Sequence, residues 1–216
     1  MSTETAAPDT PDDTVALVPL VEPSGGVPHV VETERELSRA AAAIAAGEGP
    51  VGIDAERASG YRYGQRAYLV QVRREGAGTW LIDPMGCPDL TPLNEAIGAA
   101  EWILHAATQD LACLAEVGLR PVQLFDTELA GRILGLPRVG LAAVVEHYLG
   151  LSLAKEHSAV DWSTRPLPEP WLRYAALDVE VLDELRNLMG VDLATQGKAE
   201  WARQEFAALL KWAPTE

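Results

Sequence analysis

Three apolar stretches with period-two alternation, VGIDAE, AYLVQVR and TWLIDP, follow one another with glycine-bearing connections between them. Turns carrying Gly60, Gly64, Gly76 and Gly78 favour antiparallel hairpins over crossovers, so a three-strand meander is expected. Downstream the pattern changes. A helix near PLNEAIGAA precedes a strand at EWILHA, a helix at QDLACLAEVG, a short strand at QLFD and a helix at TELAGRILG. Strand-helix-strand order of this kind implies parallel pairing. The expected class is therefore α/β, a mixed sheet whose antiparallel meander is extended by parallel strands, with helices on both faces.

The flanking segments complete this outline. Residues 1–28 are expected to be a disordered or extended N-terminal segment, with VALVPLVEP a short strand or an apolar strap and Pro23 to Pro28 a turn-rich link. Residues 29–216 form one domain. Thr33 with Glu36 three residues on predicts a capping box for ERELSRAAAAIAAG, and Gly47 its stop. LAAVVEHYLGL reads as an amphipathic helix, WLRYAALDVEVLDELRNL as another, and GKAEWARQEFAALLKW as a closing one. The polar connection SLAKEHSAVDWSTRPLPEP has the length of loops that tend to be functional.

A chain of 216 residues that is 48% hydrophobic suits one domain with a sizeable core. Its formal net charge of −15 argues against loose polyanion binding, although bound divalent ions would invert the potential of a local cleft. Cys87 and Cys113 make neither a disulfide framework nor a metal-ligand spacing, so a reducing cytoplasm is expected. No uncharged apolar run reaches transmembrane length and the acidic N-terminus lacks a signal peptide's basic flank, so no membrane contact is expected.

Chemistry concentrates in three places. Asp54 and Glu56 are two apart in PVGIDAER, and strand periodicity puts both carboxylates on one side of a sheet. Tyr174 and Asp178 are four apart in a helical stretch, hence on one face a turn apart. Asp110 follows the apolar run WILHAA near a helix start. Taken singly, each has an ordinary reading as a strand-edge acid, a helix N-terminal acid favoured by the dipole, a solvated helix acid or a core-edge aromatic. Gathered on one cleft, four acids without basic neighbours need cations, and hard oxygen ligands suit Mg²⁺ or Mn²⁺.

At these residues the chain resembles the ribonuclease D branch of the DEDD 3′-5′ exonucleases, in the subgroup with a tyrosine in the third motif. The motifs are GIDAERASGYRYGQRAYLVQV, HAATQDLACL and YAALDVEVL, with FDTELAGRILG and KEHSAVDWSTRPLPEPWLRYAALDV between the last two. The resemblance runs from about Pro50 to Leu188, and DWSTRPL favours ribonuclease D over DNA-directed relatives. It implies a ribonuclease H-like fold and a metal-dependent 3′-5′ exoribonuclease that trims RNA 3′ ends, such as those of tRNA precursors or other structured RNA, and releases nucleoside 5′-monophosphates. The alternatives are an exonuclease acting on single-stranded DNA and a noncatalytic nucleic-acid-binding module on the same fold. Relatives often carry C-terminal helical domains that help hold RNA, and none is expected within these 216 residues.

Phosphodiester cleavage needs a nucleophilic hydroxide, charge neutralisation and help for the leaving oxygen, which two divalent ions roughly 4 Å apart supply together. In that scheme Asp54 bridges both ions, Glu56 and Asp178 complete one, and Asp110 holds the other. Tyr174 orients or deprotonates the attacking water. Weaker expectations attach to His105, which reads more readily as a packed strand histidine, to Lys155, Arg165, Arg57, Arg62 and Arg66 as phosphate contacts or solvated surface charges, and to Tyr61, Tyr63 and Trp162 as base-stacking aromatics, Trp162 equally as a pin of the long loop to the core. Arg73 and Arg74 read as surface, and Tyr68 as packed.

Overall fold

The computed structural model describes residues 16–58, 61, 64, 66–153 and 160–211. The strands are β1 (Val18–Leu20), β2 (Val30–Val31), β3 (Glu48–Arg57), β4 (Ala67–Glu75), β5 (Gly78–Ile82), β6 (Glu101–Leu104), β7 (Gln123–Asp126) and β8 (Leu151–Leu153). The helices are α1 (Glu34–Ala45), α2 (Thr91–Ile97), α3 (Leu111–Glu116), α4 (Thr127–Leu134), α5 (Leu141–Leu149), α6 (Glu169–Glu180), α7 (Leu182–Thr195) and α8 (Ala199–Leu209). A six-stranded sheet runs in the order β2-β5-β4-β3-β6-β7. Its antiparallel centre, β3-β4-β5, is extended by β6 and β7, parallel to β3 and to each other, and by β2, parallel to β5. This is the mixed sheet that the hairpin and crossover patterns predict.

Alternation sorts the meander into two faces. Val51, Ile53 and Ala55 are buried with Val70, Val72 and Ile82, in one core with Leu37 and Ile44 of α1 and Leu93 and Ile97 of α2. Leu69 and Leu81 point the other way, into a second cluster with Ala175 and Ala176 of α6 and the loop residues Trp162 and Leu167. Helices therefore cover both faces. The Thr33–Glu36 capping box forms at α1 as predicted: Thr33 Oγ1 accepts from the Glu36 backbone N–H, and Glu36 accepts from the Thr33 N–H.

Two features differ from the sequence pattern. The segment WLRYAALDVEVLDELRNL, which reads as one helix, breaks at Val181, where ψ is −14°. The break lets α6 pack on β3, β4 and β5 while α7 turns to β3 and β6. No proline or glycine marks this point; packing on the twisted sheet sets it. The apolar strap also finds an unexpected partner, since β1 pairs in parallel with β8 outside the main sheet. The chain then follows α6, where Glu22 meets Arg173 at 3.0 Å and the Ser24 N–H donates to Glu180 Oε1 at 2.8 Å. Disorder expected over the first residues falls outside the described ones. Among the described residues no helix is long and apolar enough to cross a membrane.

Candidate active site

Because Val51, Ile53 and Ala55 are committed to one core, period two turns Gly52, Asp54 and Glu56 to the opposite face, on which α6 packs. On that helix Tyr174 and Asp178 share a face one turn apart. Oxygens of Asp54, Glu56 and Asp178 come within 4.8 Å of one another, and the Tyr174 hydroxyl hydrogen-bonds the Asp178 carboxylate. The approach is fixed at Gly52: a Cβ there would lie 3.3 Å from the Val179 carbonyl oxygen and 3.4 Å from Leu182 Cβ. A side chain there would make the end of α6 give way by a few tenths of an ångström.

Asp110 arrives by a different device. After β6 the chain passes through Ala106 in the left-handed region, at φ 58°, and a 3-10 turn over Ala107–Gln109 that ends at Asp110. The buried carboxylate of Asp126 holds this turn. It accepts from the backbone N–H groups of Ala106 and Ala107 and caps α4 through those of Glu128 and Leu129. Asp110 stands outside the close trio, near enough for its charge to act on Asp54 and Glu56. Arg57 Nη2 is 3.9 Å from its Oδ1.

The electrostatics are those of crowded anions. Burial, then the Asp54 charge, pushes Asp110 up to about 8, with Arg57 opposing. Burial raises Asp54 against the Ala55 N–H and Arg57. Glu56 rises well above the usual carboxylate range through burial and then through Asp54, Asp178 and Asp110. Asp178 does so through burial and Asp54, against the Tyr174 hydrogen bond. Burial, with Asp178 and Glu56, also holds the Tyr174 phenol above its ordinary value. Four carboxylates raised together form a site whose ionised state Arg57 offsets only in part, and hard oxygen donors so placed suit divalent cations such as Mg²⁺ or Mn²⁺.

Residues 28–194 match the family model described as 3′-5′ exonuclease. The chain belongs to the 3′-5′ exonuclease family. Among its relatives, the ribonuclease D of Pseudomonas paraeruginosa is 36% identical over 148 residues, which is 67% of this chain and 39% of that protein. A crystal structure of a protein from Bifidobacterium adolescentis is 52% identical with a TM-score of 0.89, covering 90% of this chain and 48% of that one. The structure of Escherichia coli ribonuclease D, an exoribonuclease involved in structured RNA processing, is 29% identical with a TM-score of 0.77, over 85% of this chain and 50% of that one. The exonuclease chain thus spans half or less of the length of these relatives. The family match contains all four acids and the tyrosine, and leaves β1 and α8 outside.

The exonuclease fold distributes the weaker candidates unevenly. Tyr61, 55% exposed, lies in the β3–β4 connection just beyond the acids. Arg57 stands at Asp110, while Arg66 donates to the Pro84 carbonyl at 3.4 Å. Arg62, Tyr63 and Lys155 lie outside the described residues. His105 is packed beside Asp126: its Nδ1 meets the Thr127 hydroxyl at 2.8 Å, and that hydroxyl lies 3.3 Å from the Leu104 carbonyl. Burial lowers the His105 pKa against Asp126 and Glu128. Trp162 is fully buried, edge-on to Trp171, and pins the loop to the core; a base cannot stack on it there. Arg165 reaches Asp83 with Nε and Nη2, the Tyr68 carbonyl with Nη2, and the Trp162 and Thr164 carbonyls with Nη1. All five guanidinium donors are engaged, which leaves none for a phosphate. Arg74 is likewise structural, donating to the Ile44 and Gly49 carbonyls, and Arg73 donates to Thr79. Tyr68 is partly buried against the second cluster.

Three supporting residues escaped the sequence reading. Asp126 is signalled by a carboxylate at the end of QLFD followed at once by a helical pattern, an N-cap signature. Gln71 is signalled by an amide in the apolar run AYLVQV. Asp83, partner of Arg165, carries no signal in sequence.

Proposed function

We propose that this chain is a metal-dependent 3′-5′ exoribonuclease that shortens RNA from the 3′ end and releases nucleoside 5′-monophosphates. One observation carries the reading: in a 3′-5′ exonuclease fold, three carboxylates crowd within 4.8 Å beside a tyrosine bonded to one of them. Asp54, Glu56 and Asp178 would hold one divalent cation and Asp110, with Asp54, a second. Such ions supply charge neutralisation at the scissile phosphate and acidify water. The chain's own contribution is orientation. The fixed Tyr174–Asp178 pair presents a phenolic hydroxyl over the carboxylates, where it positions the attacking water. A phenol held above its ordinary pKa is a donor at neutral pH, so positioning fits it better than proton abstraction. Arg57, beside Asp110, is placed to meet a phosphate, and Tyr61 to meet a terminal base. RNA is favoured over DNA as substrate by the ribonuclease D relatives, and structured RNA by the Escherichia coli one. Both cysteines are free and buried, as suits the cytoplasm.

The test uses 5′-labelled RNA, the same RNA closed into a circle, and DNA of matched sequence, each with Mg²⁺, Mn²⁺ or EDTA. Stepwise shortening of linear RNA alone, abolished by EDTA and by Asp54→Asn, is the expected result. Cutting of the circle at a comparable rate would make the enzyme an endonuclease. Faster loss of the DNA would move the substrate class, and metal uptake without cleavage of any substrate would leave a binding module.

A further inference from the structure

Gln71 is completely buried on the face of β4 that carries Leu69. It lies directly opposite Asp54, and Leu69 opposite Glu56. The carboxamide Nε2 donates to Glu56 Oε1 at 3.2 Å, while its own Oε1 is buried with no hydrogen-bond partner among the described residues. Packing does not explain an amide here. Leucine would fill the place, and burying an amide with its oxygen unpaired costs free energy that an apolar side chain does not.

The neighbourhood supplies a reason. Glu56 faces Asp54 and Asp178 across a few ångströms, and repulsion would swing a free glutamate, with its three rotatable bonds, away from them. An amide donor restrains one oxygen and leaves the second for a cation. It carries no charge, so it holds the carboxylate without neutralising it, as an arginine or lysine in its place would. We infer that Gln71 is a positioning residue, which fixes the Glu56 carboxylate in the orientation that receives a divalent cation. This rests on the metal-dependent reading above.

The experiment compares the parent with Gln71→Met, which keeps the length and loses the donor, and with Gln71→Asn, whose amide is too short to reach Glu56. Mn²⁺ affinity is measured by calorimetry, melting in EDTA, and kcat and KM for RNA over a range of Mn²⁺. Removing such an outer partner of a metal ligand typically weakens binding about 10–100-fold. The expected result is a loss of that size in both variants. The Gln71→Met variant should melt in EDTA no lower than the parent, KM should hold at saturating metal, and excess Mn²⁺ should restore the rate. In a Glu56→Gln background, Gln71→Met should weaken Mn²⁺ binding no further, because the partner has gone. Parental Mn²⁺ affinity in either folded variant, with only the melting temperature lowered, overturns the inference and makes Gln71 a packing residue. A parent that itself takes up no Mn²⁺ overturns this inference together with the metal reading, an outcome the parent alone reveals.

Discussion

Gly52 on β3 and Val179 on α6 approach so closely that a Cβ on the glycine would lie 3.3 Å from the valine carbonyl oxygen. Asp54 and Asp178 each stand one or two residues from this contact, so it sets the distance between strand and helix at the acids. Gly52→Ala should push α6 outward by a few tenths of an ångström. Overpacking of this kind costs about 1–3 kcal/mol. Mn²⁺ affinity and turnover should fall further than the melting temperature alone accounts for, measured by calorimetry and RNA shortening side by side. A variant that melts lower but binds Mn²⁺ as the parent does would show that the contact serves only the core.

Asp126 should matter to Asp110 although it touches no substrate. Its carboxylate accepts from four backbone N–H groups, two on the left-handed turn before Asp110 and two on α4. Loss of a helix cap alone costs about 0.5–2 kcal/mol, so Asp126→Ala should exceed that and also lower turnover. Ala106→Gly should go the other way. The left-handed conformation costs an alanine about 1–2 kcal/mol, against roughly 0.5–1 for the added freedom of glycine. Denaturant melts should find it neutral or slightly stabilised with activity retained.

How much of this was legible depended on the range of the interaction. Alternation and glycine turns are local, and they predicted the meander, its parallel extension and the shared side of Asp54 and Glu56. The i,i+4 pair on α6 and the capping box at Thr33 are local too. Arg165 defeats such reading because its partner Asp83 is 82 positions away. In sequence it is one more arginine in a polar loop, whereas in the fold it is a strut that ties the loop to Asp83 and the Tyr68 carbonyl. Trp162 reads equally as a stacking aromatic and as a loop pin, and its burial against Trp171 decides for the pin. The break at Val181 has no local signature, since it follows from two helices packing on different strands.

Arg165 gives a direct test of that distinction. Asp83, with only 5% of its side chain exposed against 28% for Arg165, faces it at 2.7 Å, and leaving the buried carboxylate without its donor costs about 1–3 kcal/mol. Arg165→Ala should therefore lower the melting temperature strongly. RNA affinity of the folded fraction, read at low temperature, should change little. A stable variant with weaker RNA binding would restore the arginine to phosphate recognition.

Stability of the metal-free protein should fall as pH rises. The folded-state pKa values of Asp54, Glu56, Asp110 and Asp178 are all raised, Asp110 to about 8. A raised group favours folding most below its unfolded pKa, near 4, and loses that contribution as pH rises through the folded value. Melting in EDTA should accordingly decline between about pH 4 and pH 8, each kcal/mol lost lowering the midpoint by roughly 2–4 °C. Saturating Mn²⁺ should flatten the decline at the upper end, because a cation binds the ionised carboxylates. A flat EDTA profile over this window would mean that the acids are better solvated than their crowding implies.

Tyr174 offers the sharpest separation of water positioning from cation binding. Tyr174→Phe keeps the ring, the helix and all four carboxylates, and removes only the hydroxyl bonded to Asp178. Calorimetric Mn²⁺ uptake should stay within a few-fold of the parent. Turnover should fall, since groups that handle a reacting proton typically contribute about 10²–10⁴-fold. The pH profile then tells positioning from proton transfer. If the phenolate removed a proton from water, alkaline conditions would partly restore the variant, because more hydroxide forms unaided. The phenol's raised pKa argues for the other outcome, a rate loss of the same size at every pH, as expected when a hydrogen bond that orients the water is gone. A Phe variant that shortens RNA at the parental rate across pH would reduce Tyr174 to a packing residue, and the tyrosine-dependent mechanism would be wrong even with the four acids in place.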